Sequence, residues 1–175
     1  MSRLGTLRAL PQPPLPMAVI TWNESLALHQ PRMDQTHREF VDLLCEVEAA
    51  LEGNPAALGT RLAAFVDHTD AHFAQEERWM TSCGFGAENC HSFQHGHVMQ
   101  VLREVQRRLV EDDDVATVRL LVPELAQWFP SHAQNMDAPL AETMKYCGLD
   151  PETGNVARPM TLDAAPTTGC GGGSC

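Results

Sequence analysis

Apolar residues recur at alternating steps of four and three in four stretches of the chain. That rhythm predicts four amphipathic helices. The first runs from about Met33 to Leu51, with Met33, His37, Phe40, Leu44, Val47 and Leu51 on one seam, and Gly53-Asn54-Pro55 ends it. The second runs from about Pro55 to Ser82. Its seam is Leu58, Leu62, Phe65, Thr69, His72, Glu76, Trp79 and Cys83, and Gly84 and Gly86 stop it. The third, from about Glu88 to Val110, aligns His91, His95, Val98, Leu102, Val105 and Leu109. The fourth starts near Val115 and ends near Cys147-Gly148, with Val118, Leu121, Leu125, Trp128 and His132 on its seam.

Four helices with short connections predict an all-α fold, an antiparallel up-down-up-down four-helix bundle. The bundle with its N-terminal arm is expected over residues 17–148. Residues 1–16 read as a disordered leader with Met17 as an alternative start. From residue 149 the seam vanishes and Pro, Gly and Thr dominate, so residues 149–175 are expected to form a flexible tail.

The seams hold a contradiction that only chemistry resolves. A bundle core should be dry, yet these four faces carry His37, His72, Glu76, His91, His95 and His132. One such residue is ordinarily a satisfied core histidine. Six on facing seams need a shared explanation, since each unpartnered polar group in a core costs several kcal/mol. A metal satisfies all of them together. His72 and Glu76 are four apart, as are His91 and His95, so each pair occupies one helix face, one turn apart. His132 and Asp137 are five apart, which on an ideal helix leaves them about 140° out of line. Either the helix widens there or the carboxylate reaches round. Pro130 just upstream removes a backbone donor and favours local distortion.

Depth along the rods supplies an independent check. His37 opens helix one, His72 and Glu76 close helix two, His91 and His95 open helix three, and His132 and Asp137 lie late in helix four. In an antiparallel bundle all seven side chains then gather at one end. Five imidazoles and two carboxylates exceed what one ion takes. A nitrogen-rich set with carboxylates free to bridge suits two transition ions, iron or manganese before zinc.

Charge and composition narrow the partners. A formal charge of -11 at pH 7 with no basic cluster excludes a nucleic-acid backbone as ligand. No apolar run reaches the length of a membrane span. The first twenty residues hold two arginines but are broken by four prolines, so they do not read as a secretory signal. The six cysteines are too scattered for a disulfide framework, and the cytoplasm is the expected compartment. Cys83 and Cys90 bracket a loop and read as packing residues, with a redox link as the alternative. Cys170 and Cys175, separated by small residues, form a candidate tail thiol site for a soft metal or a protein partner; an idle tail is the simpler reading.

The pieces ITWNESLAL, MDQTHREF, HFAQEERWM, HSFQH and WFPSHAQNMD, in this order, resemble the hemerythrin family, in particular its bacterial single-domain members. The likeness runs from about Trp22 to Gly148. It implies two non-haem irons: one held by His91, His95 and His132, the other by His37 and His72. Glu76 and Asp137 would bridge them beside an oxo or hydroxo link. It further implies that dioxygen binds reversibly at the iron with fewer histidines, so that the protein is a carrier, store or sensor and not an enzyme. Two positions depart from the family's pattern. Thr36 stands where Gln often precedes the first ligand, and Pro130 interrupts the fourth helix. A di-iron reductase of peroxide or nitric oxide fed by the tail thiols, and a metal-handling or signalling module, are the alternative functions. A ferritin-like carboxylate site is excluded, because only Glu88 and His91 show the Glu-x-x-His spacing it needs twice.

Overall fold

The computed structural model describes residues 18–158. Four rods follow the arm: α1 (Pro31–Gly53), α2 (Leu58–Ser82), α3 (Cys90–Asp112), and a fourth made of α4 (Val115–His132), a π-helical turn (Ala133–Asp137) and α5 (Ala138–Cys147). Helix starts follow local chemistry. Gln30 caps α1 by accepting the Met33 N–H, with Pro31 behind it. Asn89 and Ser92 cap α3 reciprocally, and Asp114 accepts the Thr117 N–H at the start of α4. Gly148 ends α5 at φ 62°, where a Cβ would be strained.

Consecutive rods pack side by side and α1 closes the ring against α4. The four-helix bundle is therefore the observed fold. Among the described residues, no helix is long and apolar enough to cross a membrane.

Two apolar layers divide the interior. The larger holds Phe40, Leu44, Leu62, Phe65, Phe73, Leu102, Leu125 and Phe129 along most of the bundle. The smaller sits at one end around Met33, Trp79, Met80, Leu140, Met144 and Cys147. Between them on α1 lies His37, on α2 Glu76, and on the fourth rod His132 and Asp137. The polar side chains thus form a slab sealed above and below by hydrocarbon. A bundle of fixed helices supplies this arrangement at little cost, because each polar residue occupies a single turn of its seam.

The arm packs along α1, and the C-terminal stretch ties down the end that holds the smaller layer. Val19 N–H donates to Glu48 (2.8 Å), and the Arg38 guanidinium lies 4.8 Å over the Trp22 ring. Leu149 to Arg158, assigned by composition to the flexible tail, fold back on the bundle. Asp150 N–H donates to Asn155 O (2.8 Å), Arg158 N–H to Cys147 O (3.0 Å), and the Trp79 indole N–H to Pro151 O (3.0 Å). Residues 1–17 and 159–175, and with them the leader, Cys170 and Cys175, lie outside the described residues.

Candidate metal centre

All seven side chains singled out by spacing meet at one place, and all are buried: His37, Glu76 and Asp137 at 0% exposure, the other four at 4% or less. They fall into two groups that share a carboxylate. Glu76, His91, His95, His132 and Asp137 form one, and His37, His72 and Glu76 the other, with donor atoms in each lying within 4.8 Å of one another.

The two carboxylates divide their oxygens between the groups. Glu76 Oε1 faces His72 Nε2 (3.0 Å) and His37 Nε2 (3.7 Å), while its Oε2 faces His95 Nε2 (3.3 Å) and His91 Nε2 (3.5 Å). Asp137 Oδ2 faces His37 Nε2 (3.2 Å), while its Oδ1 faces His91 Nε2 (3.0 Å) and His132 Nε2 (3.2 Å). Each carboxylate thus spans from a two-histidine side to a three-histidine side.

Asp137 reaches this position because the helix widens. Ala138 N–H donates to Ala133 O, five residues back, so residues five apart stack as neighbours on one face. Of the two ways to align His132 with Asp137, the structure takes the widened turn. Pro130 and Pro139 bracket it, and each lacks the N–H that a regular ladder would use. The role of Pro139 was not apparent from the sequence alone.

Many of these atoms lack a partner. His37 Nε2, His91 Nε2, Glu76 Oε2 and both Asp137 oxygens make no hydrogen bond among the described residues, although nitrogens and oxygens lie within 4 Å. His95 Nε2 and His132 Nε2, both atoms that carry a lone pair in one tautomer, lie 3.2 Å apart. Such groups aim at shared points and not at each other, which is the geometry of a ligand set. The donor chemistry, imidazole nitrogen with bridging-capable carboxylate, fits transition-metal ions.

Without a metal the protons must balance the charge. Burial would raise the carboxyls of Glu76 and Asp137, as would the charge of Glu76 on Asp137, yet both are held well below their usual range by the imidazoles around them: Glu76 by His72 and then by His37 and His91, Asp137 by His132 and then by His37. Burial would lower His37 and His91, but Asp137 and Glu76 overcome it and raise each to about 9. Burial prevails at His95, which falls to about 4. The site therefore presents anionic oxygens that hold protons where cations would bind.

Surrounding residues fix the rings. His132 Nδ1 donates to Gln94 Oε1 (3.0 Å), which leaves Nε2 free to face the site. Trp128 stacks on His132 at 4.4 Å, and Phe73 stacks on His95 at 3.8 Å. Phe129 meets His37 edge-on at 5.1 Å and stacks on Phe40 at 4.5 Å. The seam read from sequence placed Trp128 in the core and omitted Phe129; Phe129 is fully buried and Trp128 only partly. The spacing Leu121, Leu125, Phe129 held that signal. His68 Nε2 donates to Thr36 O (3.1 Å), pinning α2 to the turn that presents His37. Glu77 is half-exposed, with its carboxylate 3.8 Å from His95 Nδ1. His29, in the arm, and His97, two places past His95 on α3, are exposed.

Comparison with known proteins places this arrangement. The model of the hemerythrin HHE cation binding domain matches residues 30–143. A protein named bacteriohemerythrin from Ralstonia nicotianae is 37% identical over 134 residues, which cover 77% of this chain and 95% of that one. Bacteriohemerythrins of Stenotrophomonas maltophilia (27% identity, 74% of this chain and 84% of theirs) and Methylococcus capsulatus (24%, 69% and 93%) are also similar. No solved structure matches the chain significantly. With that pattern running through most of the bundle and its buried histidines and carboxylates brought together, the chain belongs to the hemerythrin HHE cation-binding domain family.

Proposed function

We propose that this protein binds dioxygen reversibly at a non-haem di-iron centre and acts as a carrier, store or sensor, not as a catalyst. The observation that supports the reading best is the division of the Glu76 and Asp137 oxygens between a two-histidine and a three-histidine side. Carboxylates so placed serve two ions and leave those ions unequally supplied with nitrogen ligands. His91, His95 and His132 would hold one iron, and His37 and His72 the other, with Glu76 and Asp137 bridging.

The irons, when bound, supply the electrons that dioxygen takes up. The chain supplies the rest. Phe129 and Phe40 wall the His37 side with hydrocarbon, which excludes water and stray protons from the less crowded ion. Gln94 fixes the tautomer of His132, and Phe73 and Trp128 fix the planes of His95 and His132. The positive charge of two ions replaces the protons held on His37 and His91, so loading releases protons.

The test is metal analysis joined to optical spectroscopy. Two irons per chain, with a visible band that appears when the reduced protein meets air and disappears on deoxygenation, is the expected result. A single zinc with no visible absorption would refute the reading, and continuous oxygen consumption with thiol oxidation would favour the reductase.

A further inference from the structure

The end of the bundle beyond the metal centre holds a second pair of reactive groups. Cys83 Sγ and Cys147 Sγ lie 3.1 Å apart, on residues 64 positions distant in sequence. Both thiols are free and buried, at 1% and 0% exposure. Cys83 caps the end of α2 and Cys147 is the last residue of α5. Around them lie Met33, Trp79, Met80, Leu140 and Met144, which offer no strong hydrogen-bonding group to either sulfur. Besides Cys83, the Cys147 thiol has Met144 O as an acceptor at 3.5 Å. The sequence reads Cys83 and Cys90 as packing residues, with a redox link between them as the alternative; in the fold the sulfur beside Cys83 is that of Cys147.

We propose that Cys83 and Cys147 are a redox-sensitive pair that closes to a disulfide under hydrogen peroxide and clasps the end of α2 to the end of α5. A disulfide needs the sulfurs at about 2.05 Å, so they must approach by about 1 Å. Each cysteine is followed by a glycine with positive φ, Gly84 at 84° and Gly148 at 62°, at a point where its helix ends. The movement therefore falls at two helix ends. In the first step one thiol sulfur attacks a peroxide oxygen; the O–O bond breaks, a sulfenic acid forms, and water leaves with the thiol proton. In the second, the other thiol sulfur attacks the sulfenic sulfur; the S–S bond forms, the S–O bond breaks, and a second water leaves with the second proton. Two thiols lose two electrons and one peroxide becomes two waters.

The surroundings set when this happens. Burial, and then the neighbouring Cys147, push the Cys83 thiol far up, so it stays protonated and reacts slowly. The folded-back stretch from Leu149 to Arg158 runs directly on from Cys147 and is bonded to its carbonyl and to Trp79. Brief exposure to peroxide should leave the pair reduced, and sustained exposure should close it. The clasp joins the two segments that present the buried carboxylates: Glu76 lies about 10 Å along α2 from Cys83, and Asp137 about 15 Å along α5 from Cys147.

The experiment treats the reduced full-length chain with hydrogen peroxide, alkylates the remaining thiols under denaturing conditions, and maps the products by mass spectrometry. It is repeated on a chain carrying Cys170→Ser and Cys175→Ser, to remove exchange with the tail. A cross-linked peptide containing Cys83 and Cys147 as the predominant product in both chains, reversed by dithiothreitol, is the expected result. Alkylation of both cysteines separately after Cys45 has been oxidised, pairing of either with another cysteine, or separate over-oxidation of each would overturn the proposal.

Discussion

His132 Nε2 stands 3.2 Å from Asp137 Oδ1 although the two residues are five apart in a helical rod. Only the π turn between them makes this possible, since a regular helix would send the carboxylate off the seam. Asp137 is also the residue whose Oδ2 meets His37 on the neighbouring rod α1. Replacing Asp137 by Asn keeps its shape and removes its charge. Under the proposed di-iron reading, iron content should fall from two per chain to one or none, with the helical content unchanged by circular dichroism. Retention of two irons would show that Glu76 alone suffices to hold them together.

Gln94 touches no metal position directly, yet it decides which nitrogen of His132 faces the site. Gln94→Leu frees Nδ1 and lets the ring choose the other tautomer or rotate. Losses of about 10–100-fold in metal affinity follow from comparable changes around metal-bound histidines. The rate of iron removal by a chelator should rise accordingly. An unchanged rate would mean that stacking on Trp128 holds the ring by itself.

Much of this was legible in the chain. The seam positions of His37, His72, Glu76, His91, His95 and His132 follow from helical period alone, and their common depth follows from antiparallel packing. Asp137 was ambiguous for a physical reason: period cannot say whether a helix will widen, and Pro139 acts only together with the turn it closes. The contact of Cys83 with Cys147 had no local signal, because it joins two helix ends that meet only in the fold. The return of Leu149 to Arg158 was hidden too. It is held largely by backbone hydrogen bonds, which composition does not encode.

The metal-free protein should lose stability as the solution becomes alkaline. His37 and His91 are raised from 6.5 to about 9 in the folded chain by Asp137 and Glu76, against burial. A raised folded value contributes fully below the unfolded value and is lost as pH rises through the folded one. The window is therefore pH 6.5 to about 9, and His95, which is lowered, titrates below it. Melting temperature of the metal-free chain should fall across that window. Once iron is loaded, the cations replace the protons and the same slope should vanish.

Phe129 isolates His37 from the rest of the core, edge-on to the imidazole and stacked on Phe40. Phe129→Ala should cost about 3–5 kcal/mol through the cavity it opens. Under the dioxygen-binding reading it also admits water beside the less crowded iron. The oxygenated form should then decay faster to the oxidised form, measured as the lifetime of the visible band in air. A shorter lifetime with normal iron content would separate this effect from loss of the site.

Truncation after Leu149 probes the folded-back stretch. It removes Pro151 O, the acceptor of the Trp79 indole, and Val156, the bridging partner of Leu149. An indole N–H left buried without its acceptor costs about 1–3 kcal/mol. Denaturant unfolding should show a loss of that size. Iron content should stay at the full-length value, since none of the seven clustered side chains lies beyond Asp137. A truncated chain that unfolds at the full-length denaturant concentration would mean that water replaces Pro151 at the indole without penalty. One that loses its iron would mean that the stretch seals the slab of histidines and carboxylates as well as the apolar layer beneath it.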